Sequence, residues 1–279
     1  MTETINLEEI KIKLIEKLNS SGWGDKLRGF LKSSEFDKVL QTLYNMRNDG
    51  KRFTPPLKQV FRAFEECPYD DLKVIFIGQD PYPQLGVADG ISFSCGNTNK
   101  VQPSLRYIFE EIERTVYQEF PSYQDPDLTR WSKQGILMLN TALTVEVGKI
   151  GSHYDIWKPF TAYLLDWLNN YNTGLIYVYM GKKAEEWSEL TSDNNYKFAV
   201  KHPASAAYNG SKWDSNDIFN KISEVVMKNN NFIYDWMDFV AEQKAVRKSL
   251  LKEASYETKN IGGVEVKVKP GLEVFSNPR

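Results

Sequence analysis

Four nearly continuous apolar runs constrain this chain more than any other feature: VIFIG at 74–78, ILMLN at 136–140, LIYVYM at 175–180 and KFAV at 197–200. Each is too short for a core helix, and segments with helical spacing lie between them. A strand buried on both faces reads as an apolar run, and buried strands alternating with helices build a parallel sheet covered on both sides. The expected fold class is therefore α/β. In such a sheet, ligand-binding groups gather beyond the carboxyl ends of the strands. The residues at or just past those ends are Asp80, Asn140, Lys182 and His202: an acid, an amide, a cation and an imidazole. Each alone is explained as well by a turn former or a satisfied structural residue. Together on one edge they suggest a pocket for a small, polar, planar ligand near a phosphate.

The first run leads straight into GQDPYP. Pro81 and Pro83 fix their own φ and bias Asp80 and Tyr82 toward extended geometry, so the acid and the ring have little freedom. Such rigidity suits a catalytic group. Taken alone, the segment fits equally well an ordinary strand exit in which Asp80 caps a turn.

Upstream, Leu7, Ile10, Leu14 and Leu18 repeat at helical spacing, and the pattern from Leu27 to Leu43 predicts two more short helices broken near Ser33 and Ser34. Thr54, Pro55 and Pro56 read as opening a helix with Val60, Phe61 and Phe64 on one side. Residues 1–70 are thus a helical cover, and 71–236 hold the sheet and the site. After the first strand, Leu105, Ile108, Phe109, Ile112 and Val116 form a helical stripe, with Ser104 at the N-cap position and Glu110, Glu111 and Glu113 facing water. Residues 237–279 read as a C-terminal extension. A helical pattern runs through Phe239, Val246, Leu250 and Leu251. VEVKVK beside Gly262 and Gly263 then reads as a small hairpin, a partner-binding arm or a flexible end.

At 279 residues, 41% hydrophobic and 26% charged, the chain has the composition of a globular protein with a sizeable core, here one domain with added ends. No apolar run is long enough to cross a bilayer, and the charged, amphipathic N-terminus does not resemble a secretory signal, so the expected location is cytoplasmic with no membrane partner. With 2 cysteines, Cys67 and Cys95, and 2 histidines, His153 and His202, a disulfide framework and a four-cysteine iron–sulfur or zinc site within one chain are ruled out, and no metal or other cofactor is expected. A net charge of −2 means that any nucleic-acid contact comes from a local patch. Gly181 and Lys182 lack the remainder of a phosphate-binding P-loop, and neither GxSxG nor GxGxxG occurs.

Five segments, GQDPYP, GISFS, LNTALTV, SHYDIWKPFT and VKHPAS, occur in an order and spacing that resemble family 1 uracil-DNA glycosylases over residues 50 to 236. The resemblance implies a three-layer α/β/α domain with a central four-stranded parallel sheet. It also implies hydrolysis of the bond between uracil and deoxyribose in DNA, without metal or cofactor, leaving an abasic site. Asp80 would position the attacking water and stabilise the cationic sugar, and His202 would hydrogen-bond uracil O2 as charge develops there. Backbone amides near Gln79 and Asp80 would point at O2 as well. Asn140 would read N3–H and O4, Tyr82 would stand against C5 where thymine carries its methyl, and Phe93 would stack on the base. Ser104, Lys182, Ser205 and Tyr208 fall where the DNA backbone is gripped. The implied partner is uracil-containing DNA, single- or double-stranded.

Two departures stand out. The family usually reads DPYH where this chain reads DPYP, so Pro83 cannot supply that imidazole. HPASAAYNG replaces HPSPLS followed by a tyrosine and a glycine: one residue is missing, and the leucine wedge that fills the vacated base stack becomes Ala206 or Ala207. Alanine is too small to plug a stack. The expectations are weaker flipping from duplex, a preference for single strands, or replacement of the wedge by Tyr208. An alternative is a DNA-binding or replication-complex scaffold that keeps the glycosylase fold and meets a protein partner through its extension. Retention of Asp80, Asn140 and His202 favours catalysis.

Overall fold

The computed structural model describes residues 6–118, 123–237, 257–261 and 264–268. The chain divides into two units, Met1–Met237 and Asp238–Arg279.

The first unit opens with helix α1, Leu7–Asn19, capped by Asn6, whose side chain accepts from the Glu9 amide at 3.1 Å. Helices α2, Gly24–Leu31, and α3, Ser34–Asn48, follow, and Ser33 ends one and caps the other by accepting from the Phe36 amide at 3.4 Å. The expected helix at Thr54 does not form. Phe53–Thr54 is strand β1, paired with Glu146 and Val145, and the chain then passes through a single 3-10 turn before the short helix α4, Arg62–Glu66. Each proline holds the residue before it extended, which delays the helix until Pro55 and Pro56 are passed.

Strand β2, Val74–Gly78, is followed by α5, Pro103–Thr115, and α6, Thr129–Ser132. Strand β3, Ile136–Asn140, the short β4, Val145–Glu146, and α7, Tyr154–Tyr171, come next. The unit continues with β5, Ile176–Met180, α8, Lys182–Glu185, β6, Tyr196–Val200, α9, Ala204–Asn209, and α10, Ile218–Asn230. The sheet has four strands in the order β3-β2-β5-β6, all parallel. β2, β3 and β5 are buried at every position, as their apolar runs require. β6 is not: at the edge opposite β3, it has only Val200 buried. One aromatic cluster joins α2, α4 and α7, with Phe30 and Phe64 at 5.1 and 5.8 Å from Phe160. A second sets Phe76 of β2 at 6.2 Å from Phe219 of α10. These helices are the outer layers of a three-layer α/β/α fold. The Trp236 carbonyl accepts from Trp131 Nε1 at 2.8 Å and from Arg130 Nη2 at 2.6 Å, fastening the end of the unit to α6.

Glu111 corrects the reading of α5. It is buried, pairs with Arg114, and accepts from the Ser215 amide at 3.1 Å and hydroxyl at 2.7 Å. A residue three after Ile108 lies beside the apolar stripe rather than opposite it.

In the second unit, β7, Glu257–Ile261, and β8, Val264–Val268, form an antiparallel pair closing at Ile261 and Val264. The helical pattern from Phe239 to Leu251 lies outside the described residues. No helix among the described residues is long and apolar enough to cross a membrane.

Candidate active site

The register pairs Gly78 with Asn140, so β2 and β3 end level with one another. From β2 the chain moves to β3 on one side, and from β5 to β6 on the other. A crevice opens where the connections diverge. A cavity of about 170 Å³ lies there, lined by Gln79, Asp80, Tyr82, Phe93, Ser104, Asn140 and His202 among others. A cavity of roughly 150 Å³ holds benzene, so this one is of the size for a single six-membered ring.

Asp80 is held by the loop before α7 and by α7 itself. Its Oδ2 accepts from the Gly151 amide at 2.7 Å and its Oδ1 from the Tyr154 hydroxyl at 3.4 Å. Burial raises its pKa, and these two hydrogen bonds only partly oppose the rise. The Tyr154 hydroxyl is itself pushed up, by burial first and then by the Asp80 charge. Gly151 and Tyr154 escaped the sequence reading. The one signal was the segment SHYDIWKPFT, whose spacing shows no contact with Asp80. Pro83 joins the same two loops: its carbonyl accepts from the Gly148 amide at 2.9 Å.

His202 follows β6, with its ring 5.5 Å from that of Phe93. Its Nδ1 accepts from the Ala204 amide at 3.2 Å, which places the ring proton on Nε2. Burial lowers its pKa to about 4, so the imidazole is neutral at pH 7. The other histidine is structural. His153 is buried with Nδ1 2.8 Å from Thr144 Oγ1, an oxygen that also accepts from Trp157 Nε1 at 2.7 Å, and burial lowers its pKa as well.

Asn140 is 9% exposed, and its Oδ1 accepts from the Ser92 hydroxyl at 2.7 Å. Ser92 was hidden inside GISFS. Gly78 is required by this pair: a Cβ there would lie 2.6 Å from both Asn140 Oδ1 and Ser92 Oγ. Gly78→Ala is expected to destabilise the protein by roughly 1–3 kcal/mol, measured by urea denaturation, because both contacting atoms are locked in the hydrogen bond.

Phe93 is buried with φ of 62°, a conformation a bulky residue adopts only when its surroundings impose it. The Tyr82 hydroxyl donates to its carbonyl at 3.1 Å. Behind the turn, buried Asp89 accepts from Ser94 Oγ at 2.6 Å and from the amides of Ile91 and Gly96 at 3.2 and 2.9 Å, and pairs with Arg62 at 2.9 Å. This network fixes the turn that aims Phe93. The Gln79 carbonyl accepts from Thr141 Oγ1 at 2.8 Å and the Ala142 amide at 3.1 Å. Among the described residues, the amides of Gln79 and Asp80 have no hydrogen-bond partner.

Ser104 lines the cavity, but it is not the N-cap of α5: Gln102 holds that place, Pro103 is the first helical residue, and Ser104 the second. Lys182 begins α8 and is exposed away from the cavity lining, so three of the four strand-end residues meet there and the cation does not. Ser205 sits in α9, also outside the lining, and its amide donates to the His202 carbonyl at 2.9 Å. Ala206 is buried at 3% exposure and cannot reach a DNA stack. The backbone of Tyr208 belongs to α9; its side chain lies outside the described part of the structure, as does that of Ala207. No group of three or more His, Cys, Asp or Glu among the described residues could hold a metal ion.

The family model of the uracil DNA glycosylase superfamily matches residues 64–226. Uracil-DNA glycosylase 1 of Listeria innocua is 33% identical over 220 residues, covering 77% of this chain and 96% of that protein. The uracil-DNA glycosylase of Campylobacter jejuni is 32% identical over 236 residues, 84% of this chain and 97% of its own. Among solved structures, mimivirus uracil-DNA glycosylase superposes with a TM-score of 0.69 at 24% identity, covering 83% of this chain and 89% of that one, which supports the fold. By the family model and by relatives matched over nearly their whole length, the chain belongs to the uracil-DNA glycosylase superfamily.

Proposed function

We propose that this protein hydrolyses the N-glycosidic bond between uracil and deoxyribose in DNA, releasing the base and leaving an abasic site, the first step of base excision repair. The observation that carries the reading is one ring-sized cavity lined by a half-buried carboxylate, a neutral imidazole and an amide anchored through its oxygen. The uracil nucleotide flips out of its strand so that the base enters the cavity. As the bond from C1′ to N1 breaks, the electron pair leaves with uracil and the sugar becomes cationic. The Nε2–H of His202 and the free amides of Gln79 and Asp80 stabilise the negative charge gathering on O2. The Asp80 carboxylate stabilises the sugar cation and accepts a proton from the water that adds to C1′; burial, by raising its pKa, favours that acceptance.

Asn140 supplies specificity. With Oδ1 anchored by Ser92, Oδ1 accepts from uracil N3–H and Nδ2 donates to O4, a pattern that cytosine reverses. Phe93 stacks on the base. Tyr82 occupies the space beside C5, so Tyr82→Ala is expected to make thymine release detectable while slowing uracil release, as measured by chromatography of free bases. Retained uracil release with no trace of thymine release would remove Tyr82 from this role. Ser104, Lys182, Ser205 and Tyr208 are assigned to the DNA backbone. The reaction belongs to residues 1–236, the place of action is the cytoplasm, and residues 237–279 take no part in the chemistry.

Oligonucleotides carrying one uracil or one thymine, single- and double-stranded, followed by alkaline cleavage, test the reading. Alkali-labile sites are expected with uracil only. A protein that binds these strands without producing such sites would instead be the scaffold described above.

A further inference from the structure

Ile150 is 71% exposed, yet it lines the same cavity as Asp80, Asn140 and His202. The loop that carries it is fastened on both sides of it. Gly148 donates to the Pro83 carbonyl at 2.9 Å, the Lys149 ammonium pairs with Glu146 at 2.6 Å, and the Gly151 amide donates to Asp80 at 2.7 Å. An apolar side chain is thus presented to solvent, on a rigid support, at the rim through which a nucleotide enters. Among the described side chains of α9 none is equivalent, since Ala204 is short and Ala206 is buried. Exposed Arg52 adjoins the loop, its carbonyl accepting from the Val147 amide at 2.8 Å.

We propose that Ile150 inserts into the duplex at the position vacated by the flipped nucleotide, so that the wedge comes from the loop before α7 and not from α9. The proposal rests on the uracil-excision reading. A flipped base leaves its neighbours unstacked and facing a gap, and an apolar side chain in that gap opposes the return of the base. A single strand has no continuous stack to refill, so the contribution of Ile150 belongs to duplex substrates.

The test is kcat/KM on matched single- and double-stranded oligonucleotides with one uracil, for the full-length protein and its Ile150→Ala and Ile150→Leu variants. Ile150→Ala is expected to lower the duplex value by about tenfold or more and the single-strand value by less than about threefold, with Ile150→Leu close to wild type on both. The side chain is exposed, and retained single-strand turnover doubles as the check on folding. Equal losses on the two substrates would make Ile150 a wall of the cavity and overturn the proposal. So would an unchanged duplex-to-single-strand ratio, a wild-type enzyme inert on duplex, or a ratio that collapses in Tyr208→Ala but not in Ile150→Ala. Wild-type protein inert on both substrates would remove the excision reading itself, a result distinct from all of these.

Discussion

Asp80→Asn is expected to lower the single-turnover rate of uracil release by roughly 10³-fold while leaving substrate affinity little changed. Asparagine keeps the shape and, through its own oxygen, the hydrogen bond from Gly151, but it can neither oppose the sugar cation nor take a proton. The same substitution is expected to stabilise the fold at neutral pH. Burial raises the folded-state pKa of Asp80, so folding favours its neutral form. That contribution is fully present below the ordinary carboxylate range and is lost as pH rises through the raised value. The gain in melting temperature from Asp80→Asn is therefore expected near pH 7 and should vanish in acid. In the wild type, activity should fall as pH is lowered, beginning above the usual carboxylate range. An Asp80→Asn enzyme with undiminished turnover would take Asp80 out of the mechanism.

His202→Leu is expected to cost roughly 10²- to 10³-fold in turnover, the typical loss when a donor to a developing oxyanion is removed. The imidazole already acts in its neutral form, so the wild-type rate should show no basic limb from His202 near pH 6.5; a limb that His202→Leu abolished would mean that the cation is the working species. Stability carries a second signature. With its folded pKa lowered to about 4, His202 contributes stability that is present above the unfolded value near 6.5 and lost as pH falls toward 4. The share is roughly 3 kcal/mol, from about 1.36 kcal/mol per pKa unit. Denaturation curves between pH 7 and 4 should show a shallower loss in the leucine variant, with His153 still contributing its own part.

The sheet was legible because β2, β3 and β5 are buried on both faces and therefore carry continuous apolar runs. β6 was found as the short apolar run KFAV although it lies at an edge, where Tyr196 and Lys197 are exposed. The strand ends yielded Asp80, Asn140 and His202. Lys182 shares that position in sequence, but the turn at Gly181, where a Cβ would come within 3.0 Å of His202 Cβ, carries it into solvent outside the lining. What holds those groups was not legible. Gly151 and Tyr154 reach Asp80 across more than seventy residues of chain, the first through a backbone amide that any residue type possesses and the second through its hydroxyl. Ser92, in a loop with no period of its own, meets the end of β3 by donating its hydroxyl to Asn140 Oδ1. Glu111 could have been found, since its spacing from Ile108 and Ile112 puts it at the edge of the apolar stripe; its charge argued for water, and Arg114 with Ser215 supplied the partners that allow burial.

Hydrolytic excision of uracil is tested most directly by quantifying free base and strand together. Wild-type protein is incubated with a uracil-containing oligonucleotide in the presence of borohydride, and the products are resolved by mass spectrometry. One free uracil per abasic site, an unbroken strand before alkali and no protein–DNA adduct are the expected result, because water alone attacks C1′. A borohydride-trapped adduct through a lysine, or abasic sites and free uracil both missing, would contradict it.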